Sequence, residues 1–261
     1  MKIIFVRHGE PDYANDSLTE KGWREAKCLA ERISKWKVTD FYCSPLGRAR
    51  DTASPTLQKM NREAVTLDWM KEFSYPIDDP VTGRHGVPWD FVPSYWSGNP
   101  LMTTGTQWVD ADIMQQNPEI KSQFENVCRN LDEFLASYGY VRKQNYYLVP
   151  EMEERFISQT VAPGNVRSID KLPDDSNEPV IVIFCHLGIT CLVLSHLLNI
   201  PFPLLTHGFF LPPSSITILS SERRWEKEAY FRVQAMGDVH HLHANAEPLS
   251  PAGSFATPFP G

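Results

Sequence analysis

The stretch Lys2-Ile3-Ile4-Phe5-Val6-Arg7-His8-Gly9-Glu10 passes abruptly from β-branched and aromatic residues to charge. An apolar run this short reads as a buried strand, with Arg7 and His8 emerging at its C-terminal end. Downstream, Leu18-Thr19-Glu20 opens a helix. Thr19 is a capping residue, Trp23, Ala26, Ala30 and Ile33 recur at helical spacing, and Lys21, Arg24, Glu25, Lys27, Glu31 and Arg32 supply its solvent face. Phe41-Tyr42-Cys43 then reads as a second strand. Strand, helix and strand within about 45 residues make a βαβ unit, whose strands lie parallel and share one sheet edge at their C-terminal ends.

Working outward, Ser44-Pro45 starts another helix, which Pro55 is expected to interrupt, and residues 64–69 read as a third strand. From 73 to 118 the pattern dissolves into Pro, Gly and aromatics. That length is too great for an ordinary connection and reads as an insertion over the sheet edge. Helical spacing returns over 120–138 through Phe124, Val127, Leu131 and Leu135, and 146–149 suits a short strand. Residues 161–178 are polar and read as a mobile loop. Residues 180–185 form the strongest strand pattern, 190–198 a helix, and 215–219 with 229–233 a hairpin turning near Arg223. The tail from Ala246 is rich in Pro, Ala and Ser, and is expected to be loose at its end. The fold class is therefore α/β, in three α/β/α layers around a central, mostly parallel mixed sheet. The 261 residues read as one domain carrying the insertion.

Composition excludes several functions. Twenty-five Lys and Arg against 32 Asp and Glu leave a net charge of −7, the wrong sign for gripping nucleic acid or an anionic membrane. The longest apolar run, 180–185, is far short of the roughly 20 residues that a membrane helix needs. Five cysteines at 28, 43, 128, 185 and 191 lack CxxC spacing, which argues against a disulfide framework or a zinc ribbon and suits a reducing cytoplasm.

Four groups of charged or titratable residues follow the expected strands: Arg7-His8, Arg48, Glu72 and His186. If the strands are parallel, all reach the edge where open α/β sheets bind ligands, close to helix N-termini that attract anions. Two arginines and two histidines describe a dianion site, and phosphate is the obvious dianion. A neutral imidazole attacks phosphorus, arginines neutralise the transferring oxygens, and a carboxylic acid protonates the leaving alkoxide. Glu72 suits the last role, with Glu63 the alternative. No metal is required, because the arginines and the second histidine supply positive charge.

The same residues carry a resemblance. Phe5-Val6-Arg7-His8-Gly9-Glu10, Leu18-Thr19-Glu20-Lys21-Gly22, Ser44-Pro45-Leu46-Gly47-Arg48-Ala49-Arg50-Asp51-Thr52-Ala53, Glu72 and Cys185-His186 resemble, in order, the signature of the histidine phosphatase superfamily, with its phosphoglycerate mutase-like fold. Gly237-Asp238-Val239-His240-His241-Leu242 is similar to the closing segment of bacterial phosphatase-type members. The resemblance implies that His8 is transiently phosphorylated, that Arg7, Arg48 and His186 bind the phosphoryl group, and that Glu72 is acid and base. It also implies Asn15 as a phosphate ligand, one residue later than the family's usual spacing. Arg-His-Gly alone is a weak signal, since it recurs at Arg84-His85-Gly86 with no strand before it.

The expected activity is phosphomonoester hydrolysis on a small monophosphorylated substrate, without cofactor. The alternatives are a phosphoglycerate mutase and a catalytically idle interaction module. Within 73–118 the sole Lys or Arg is Arg84, against Asp78, Asp79, Asp90, Asp110 and Asp112, a poor cradle for further phosphates. His240, His241 and His243 are read as strand residues facing opposite sides rather than as metal ligands. His85 and His207 are read as surface or structural, and Cys185 as a small apolar residue. Phe73, Tyr75, Trp89, Phe91, Tyr95 and Trp96 either line a pocket or pack the insertion. Oligomeric state is not readable.

Overall fold

β1 (Lys2–Arg7) lies inside the main sheet of the computed structural model, which describes residues 1–149, 178–225 and 227–259. It is buried on both faces from Ile3 onward, which is why its sequence is continuously apolar. A hairpin of β2 (Pro11–Asp12) and β3 (Ser17–Leu18) leads to α1 (Glu20–Ile33). Thr19 caps α1, accepting the Gly22 N–H at 3.1 Å. One residue of the expected wet face is misassigned: Glu25 is fully buried, accepting the Glu10 N–H at 2.7 Å and pairing with Lys21 at 3.1 Å. It ties the loop after His8 to the helix.

β4 (Asp40–Cys43), α2 (Gly47–Met60) and β5 (Val65–Thr66) follow. Pro55 does not interrupt α2. The Asp51 carbonyl, which a residue-55 N–H would have bonded, accepts the Ser54 hydroxyl instead at 3.1 Å. The third strand is shorter than expected, because the chain turns through a 3-10 segment, Asp68–Met70, that buries Met70 in the core.

The insertion holds a small hairpin, β6 (Ile77–Asp78) with β7 (His85–Gly86), then α3 (Pro93–Gly98) and three 3-10 turns. Its aromatics pack rather than stand free. Phe73 meets Tyr75, Trp108 and Phe202 edge-on at 5.1, 6.4 and 5.7 Å, and Phe91, Tyr95 and Trp96 join the same core.

α4 (Glu119–Ser137) buries the expected Phe124, Val127, Leu131 and Leu135. β9 (Tyr146–Leu148) pairs with β8 (Val141–Lys143), a strand whose charged residues hid it from a hydrophobic pattern. Of the polar stretch 161–178, read as a loop, all but Glu178 lies outside the described residues; Glu178 pairs with the Met1 amino group. β10 (Val180–Cys185), α5 (Leu187–Leu198) and α6 (Phe202–Gly208) come next, followed by the antiparallel β11 (Ile216–Trp225) and β12 (Glu228–Asp238). α7 (His240–His243) is a helical turn, not the expected strand, because the chain leaves the sheet at Asp238, whose carboxylate accepts the His240 N–H at 2.8 Å.

Among the described residues the main sheet has eight strands in the order β5-β4-β10-β1-β11-β12-β9-β8. The first four are parallel and the rest antiparallel, so the fold is α/β with a mixed sheet. One face, through Ile4, Val6, Val182 and Phe184, packs on Leu29 and Ile33 of α1 and on Ala49 and Ala53 of α2. The other, through Ile3, Phe5, Ile181 and Ile183, packs on α4, α5, α6 and the insertion, which completes three layers. Among the described residues no helix is long and apolar enough to cross a membrane.

Candidate active site

β1 and β10 are parallel neighbours with Arg7 opposite Cys185, so the residues that follow them, His8 and His186, stand side by side. Their ring centroids are 5.2 Å apart and both residues are buried. His8 Nδ1 lies 2.7 Å from the Gly9 carbonyl, which can only accept, so Nδ1 carries the proton and Nε2 keeps its lone pair. His186 Nε2 shares a 2.7 Å hydrogen bond with Ser44 Oγ at the end of β4, while its buried Nδ1 has no partner. Burial holds both imidazoles well below the usual histidine range. For His8 the next cause is the charge of Arg7, and for His186 the neighbouring His8, then Arg48 and Arg7. Both rings are therefore neutral.

Arg7 ends β1 and is buried; its Nη1 donates to the Leu211 carbonyl at 2.5 Å and its Nη2 to the Ala252 carbonyl at 3.0 Å. A guanidinium has five N–H donors, so three remain, including the buried, unpartnered Nε. Arg48, in the first turn of α2, donates from Nη1 to Asp16 Oδ1 at 2.6 Å and also keeps a buried, unpartnered Nε. The other oxygen of Asp16 accepts the Gly47 N–H at 2.7 Å. A Cβ on Gly47 would stand 2.1 Å from the Asp16 carbonyl oxygen, so only glycine fits there. Burial opposes ionisation of Asp16, but the Gly47 N–H and Arg48 outweigh it and hold its carboxyl below the usual range. Thr52 Oγ1 accepts the Gly9 N–H at 2.9 Å and donates to the Arg48 carbonyl at 2.7 Å, joining the two halves of the cluster.

Glu72 follows the 3-10 turn after β5. Its Oε1 accepts the N–H groups of Phe73 and Ile189, both at 2.9 Å, and its Oε2 that of Gly188 at 3.3 Å. The last two belong to the first turn of α5, whose N-terminus favours negative charge. Burial nevertheless raises the carboxyl above its usual range, the N–H donors and Arg7 only partly offsetting it. At Gly188 a Cβ would lie 2.6 Å from the Trp89 ring and 2.8 Å from Glu72 Oε1, so the close approach that follows the second histidine falls one residue beyond Leu187. A cavity of about 450 Å³ opens against Glu72, lined among others by Trp69, Lys71, Tyr75, Gln123 and Asn130.

The structure thus brings Arg7, His8, Arg48, Glu72 and His186 to one edge, the C-terminal ends of the parallel strands. It does not bring Asn15 there: that residue is exposed and its amide donates to Asp12 at 2.8 Å. Glu63 is exposed in the loop after α2. Sequence reasoning assigned nothing to Ser44, Thr52 or Asp16. Ser44 and Thr52 lie within the quoted motif, and Asp16 adopts a positive φ of 46° in a polar turn, which no periodicity marks. His207 is structural, accepting the Phe91 N–H at 3.3 Å and stacking 4.8 Å from Trp96. His85 pairs with Asp78 on the surface, and Arg84 pairs with Asp90 at 3.2 Å. Cys185 is buried and hydrogen-bonded to Thr190, its thiol pushed up to about 12 by burial. Among the described residues no group of three or more His, Cys, Asp or Glu gathers as a metal site.

Residues 3–81 match the family model of the histidine phosphatase superfamily (branch 1). The matched segment carries Arg7, His8, Arg48 and Glu72. A 2,3-bisphosphoglycerate-dependent phosphoglycerate mutase of Thermoplasma acidophilum is 39% identical over 77 residues, 25% of this chain and 38% of that protein. Phosphoserine phosphatase 1 of Hydrogenobacter thermophilus is 30% identical over 84 residues, 29% of this chain and 40% of that protein. The chain therefore spans about two fifths of the length of these curated relatives. A mutant phosphoserine phosphatase of Entamoeba histolytica, solved in complex with phosphoserine, superposes with a TM-score of 0.56 over 92% of this chain and 98% of that one. At 16% identity that likeness establishes the fold.

Proposed function

We propose that the chain hydrolyses a small phosphomonoester through a covalent phosphohistidine on His8. The observation that carries this is the buried, neutral His8–His186 pair at 5.2 Å, with the His8 tautomer fixed by Gly9 so that Nε2 is the free nucleophile. Nε2 attacks phosphorus, the N–P bond forms as the ester P–O bond breaks, and Glu72, whose protonated form burial favours, gives its proton to the departing alkoxide. Glu72, now a carboxylate, takes a proton from water, which displaces His8 from phosphorus and releases phosphate. Arg7 and Arg48 offset the charge of the equatorial oxygens, and the neutral His186 serves them as a hydrogen-bond partner. Replacing His8 by Ala should lower turnover by about 10³-fold or more and abolish any acid-labile, base-stable phosphoenzyme. Persistence of that adduct in the variant would sink the assignment.

None of Arg7, His8, Arg48 and His186 lines the cavity beside Glu72, so it adjoins the acid rather than the phosphoryl site. Trp69 and Tyr75 give the cavity apolar contact, and Lys71, just before the insertion, is a cation that a count over 73–118 omits. Arg84, the cation that count includes, is engaged with Asp90 and largely exposed. With Arg84 so engaged, the insertion offers a second phosphate no unpaired Lys or Arg, which favours a monophosphate over a bisphosphate. The mutase reading draws on the relative in Thermoplasma acidophilum and on Lys71; measuring phosphoglycerate interconversion against monoester hydrolysis separates the two. An idle interaction module is excluded by turnover of any aryl phosphate. Because fixed cations surround the phosphoryl group, activity should survive exhaustive EDTA treatment; loss restored by magnesium or zinc would overturn the metal-free mechanism. The five cysteines are free thiols, in keeping with a reducing cytoplasm.

A further inference from the structure

The tail, expected to be loose at its end, is held against the body as far as Gly253. Glu247 pairs with Lys21 and Arg24 of α1 at 3.2 and 2.9 Å. Ser250 is wholly buried, and its hydroxyl oxygen accepts the Ala252 N–H at 3.2 Å in a local turn. The Ala252 carbonyl accepts from Arg7 Nη2 at 3.0 Å. Gly253 has a φ of +85°, and a Cβ there would stand 2.9 Å from the same nitrogen. By contrast Phe255 and Phe259, further along, are 87% and 84% exposed.

We infer that residues 247–253 are a positioning element of the phosphate site, holding Arg7 through the main-chain carbonyl of Ala252. This rests on the reading of Arg7 as a phosphate ligand. A buried guanidinium needs acceptors for the N–H groups that do not meet the anion, and carbonyls supply them without cancelling its charge. The alternative acceptor is Glu72, whose charge acts on Arg7. An Arg7 released by the tail gains freedom to pair with that carboxylate, which would both withdraw the cation from phosphate and deprive the leaving group of its acid. Leu211 holds the other end of the guanidinium from the loop after α6, so the tail supplies one of two fixed points. Gly253 is the residue that lets the chain pass this close to Arg7.

Two proteins test this: a chain ending at Pro248, which keeps the Glu247 anchor, and full-length Gly253→Val. Binding of inorganic phosphate and of orthovanadate is measured by calorimetry, with the pH profile of kcat/KM for an aryl and an alkyl phosphate and the melting temperature. In both variants phosphate affinity should fall about tenfold. The alkaline limb of the alkyl-phosphate profile should move to lower pH as Glu72 ionises more readily, while the melting temperature stays close to that of the parent. Ala252→Gly, which leaves the carbonyl in place, should keep affinity within about twofold. Parental phosphate affinity in a folded truncated chain overturns the inference. If that chain does not fold, parental affinity in Gly253→Val does the same. Failure of the parent itself to bind phosphate or vanadate overturns the phosphatase reading along with it.

Discussion

Glu72 takes three backbone N–H donors and is still biased toward its protonated form, because burial outweighs them. That bias is what an acid for a departing alkoxide needs near neutral pH. Glu72→Gln keeps a carbonyl for the α5 N–H groups but removes the transferable proton. It should cost roughly 10²–10⁴-fold on alkyl phosphates and far less on aryl phosphates, whose leaving groups need little protonation. Equal losses in parallel steady-state assays would make Glu72 a structural residue. The five residues of the cluster were legible in the sequence because each lies at or beyond the C-terminal end of an expected strand. Their supports were not. Ser44, Thr52 and Asp16 act through hydrogen bonds fixed by tertiary position, and Asp16 reaches Arg48 across 32 positions of chain. Asn15 shows the converse: a spacing argument aims a side chain at the site, and a local turn directs it to Asp12 instead.

α5 brings His186 and the acceptor contacts of Glu72 together, since its first turn donates the Gly188 and Ile189 N–H groups while Trp89 of the insertion lies against Gly188. Gly188→Ala therefore forces Trp89 or Glu72 to move. We expect a destabilisation of about 1–3 kcal/mol by urea unfolding and a drop of about tenfold in kcat on alkyl phosphates. Unchanged kcat with lowered stability would show that Trp89 alone gives way. At this scale the strong elements, β1, α1, α4 and β10, were readable from periodicity. Errors came where a side chain repaired what a rule forbids, as Ser54 does beside Pro55, or where a short element lacked apolar residues, as β8 does. The insertion defeated periodicity altogether, because its 3-10 turns bury single aromatics rather than a stripe.

Across the whole molecule, burial of neutral histidines couples the site to stability. His8 and His186 have folded-state values well below 6.5, His241 is lowered to about 4, and His207 is lowered as well, burial being the first cause in each. Above the unfolded value near 6.5 these groups are neutral in both states and their contribution is complete. As the pH falls below it, the unfolded chain takes up protons that the folded chain refuses, so stability is lost progressively toward the folded values. Glu72 and Glu25 act in the opposite sense. Their folded values are raised by burial, so their contribution is complete below the unfolded value of 4.5 and is lost as pH rises through the folded one. Four histidines against two carboxyls leave a net loss on acidification. We expect the urea unfolding free energy to fall by about 2 kcal/mol between pH 7 and 5.5. In His8→Phe, which keeps a buried ring without a proton site, the decline should be shallower by about 1 kcal/mol over the same interval. A profile that His8→Phe leaves unaltered would mean that His8 has the same value folded as unfolded and becomes charged as the pH falls through 6.5, and an imidazolium has no lone pair with which to attack phosphorus.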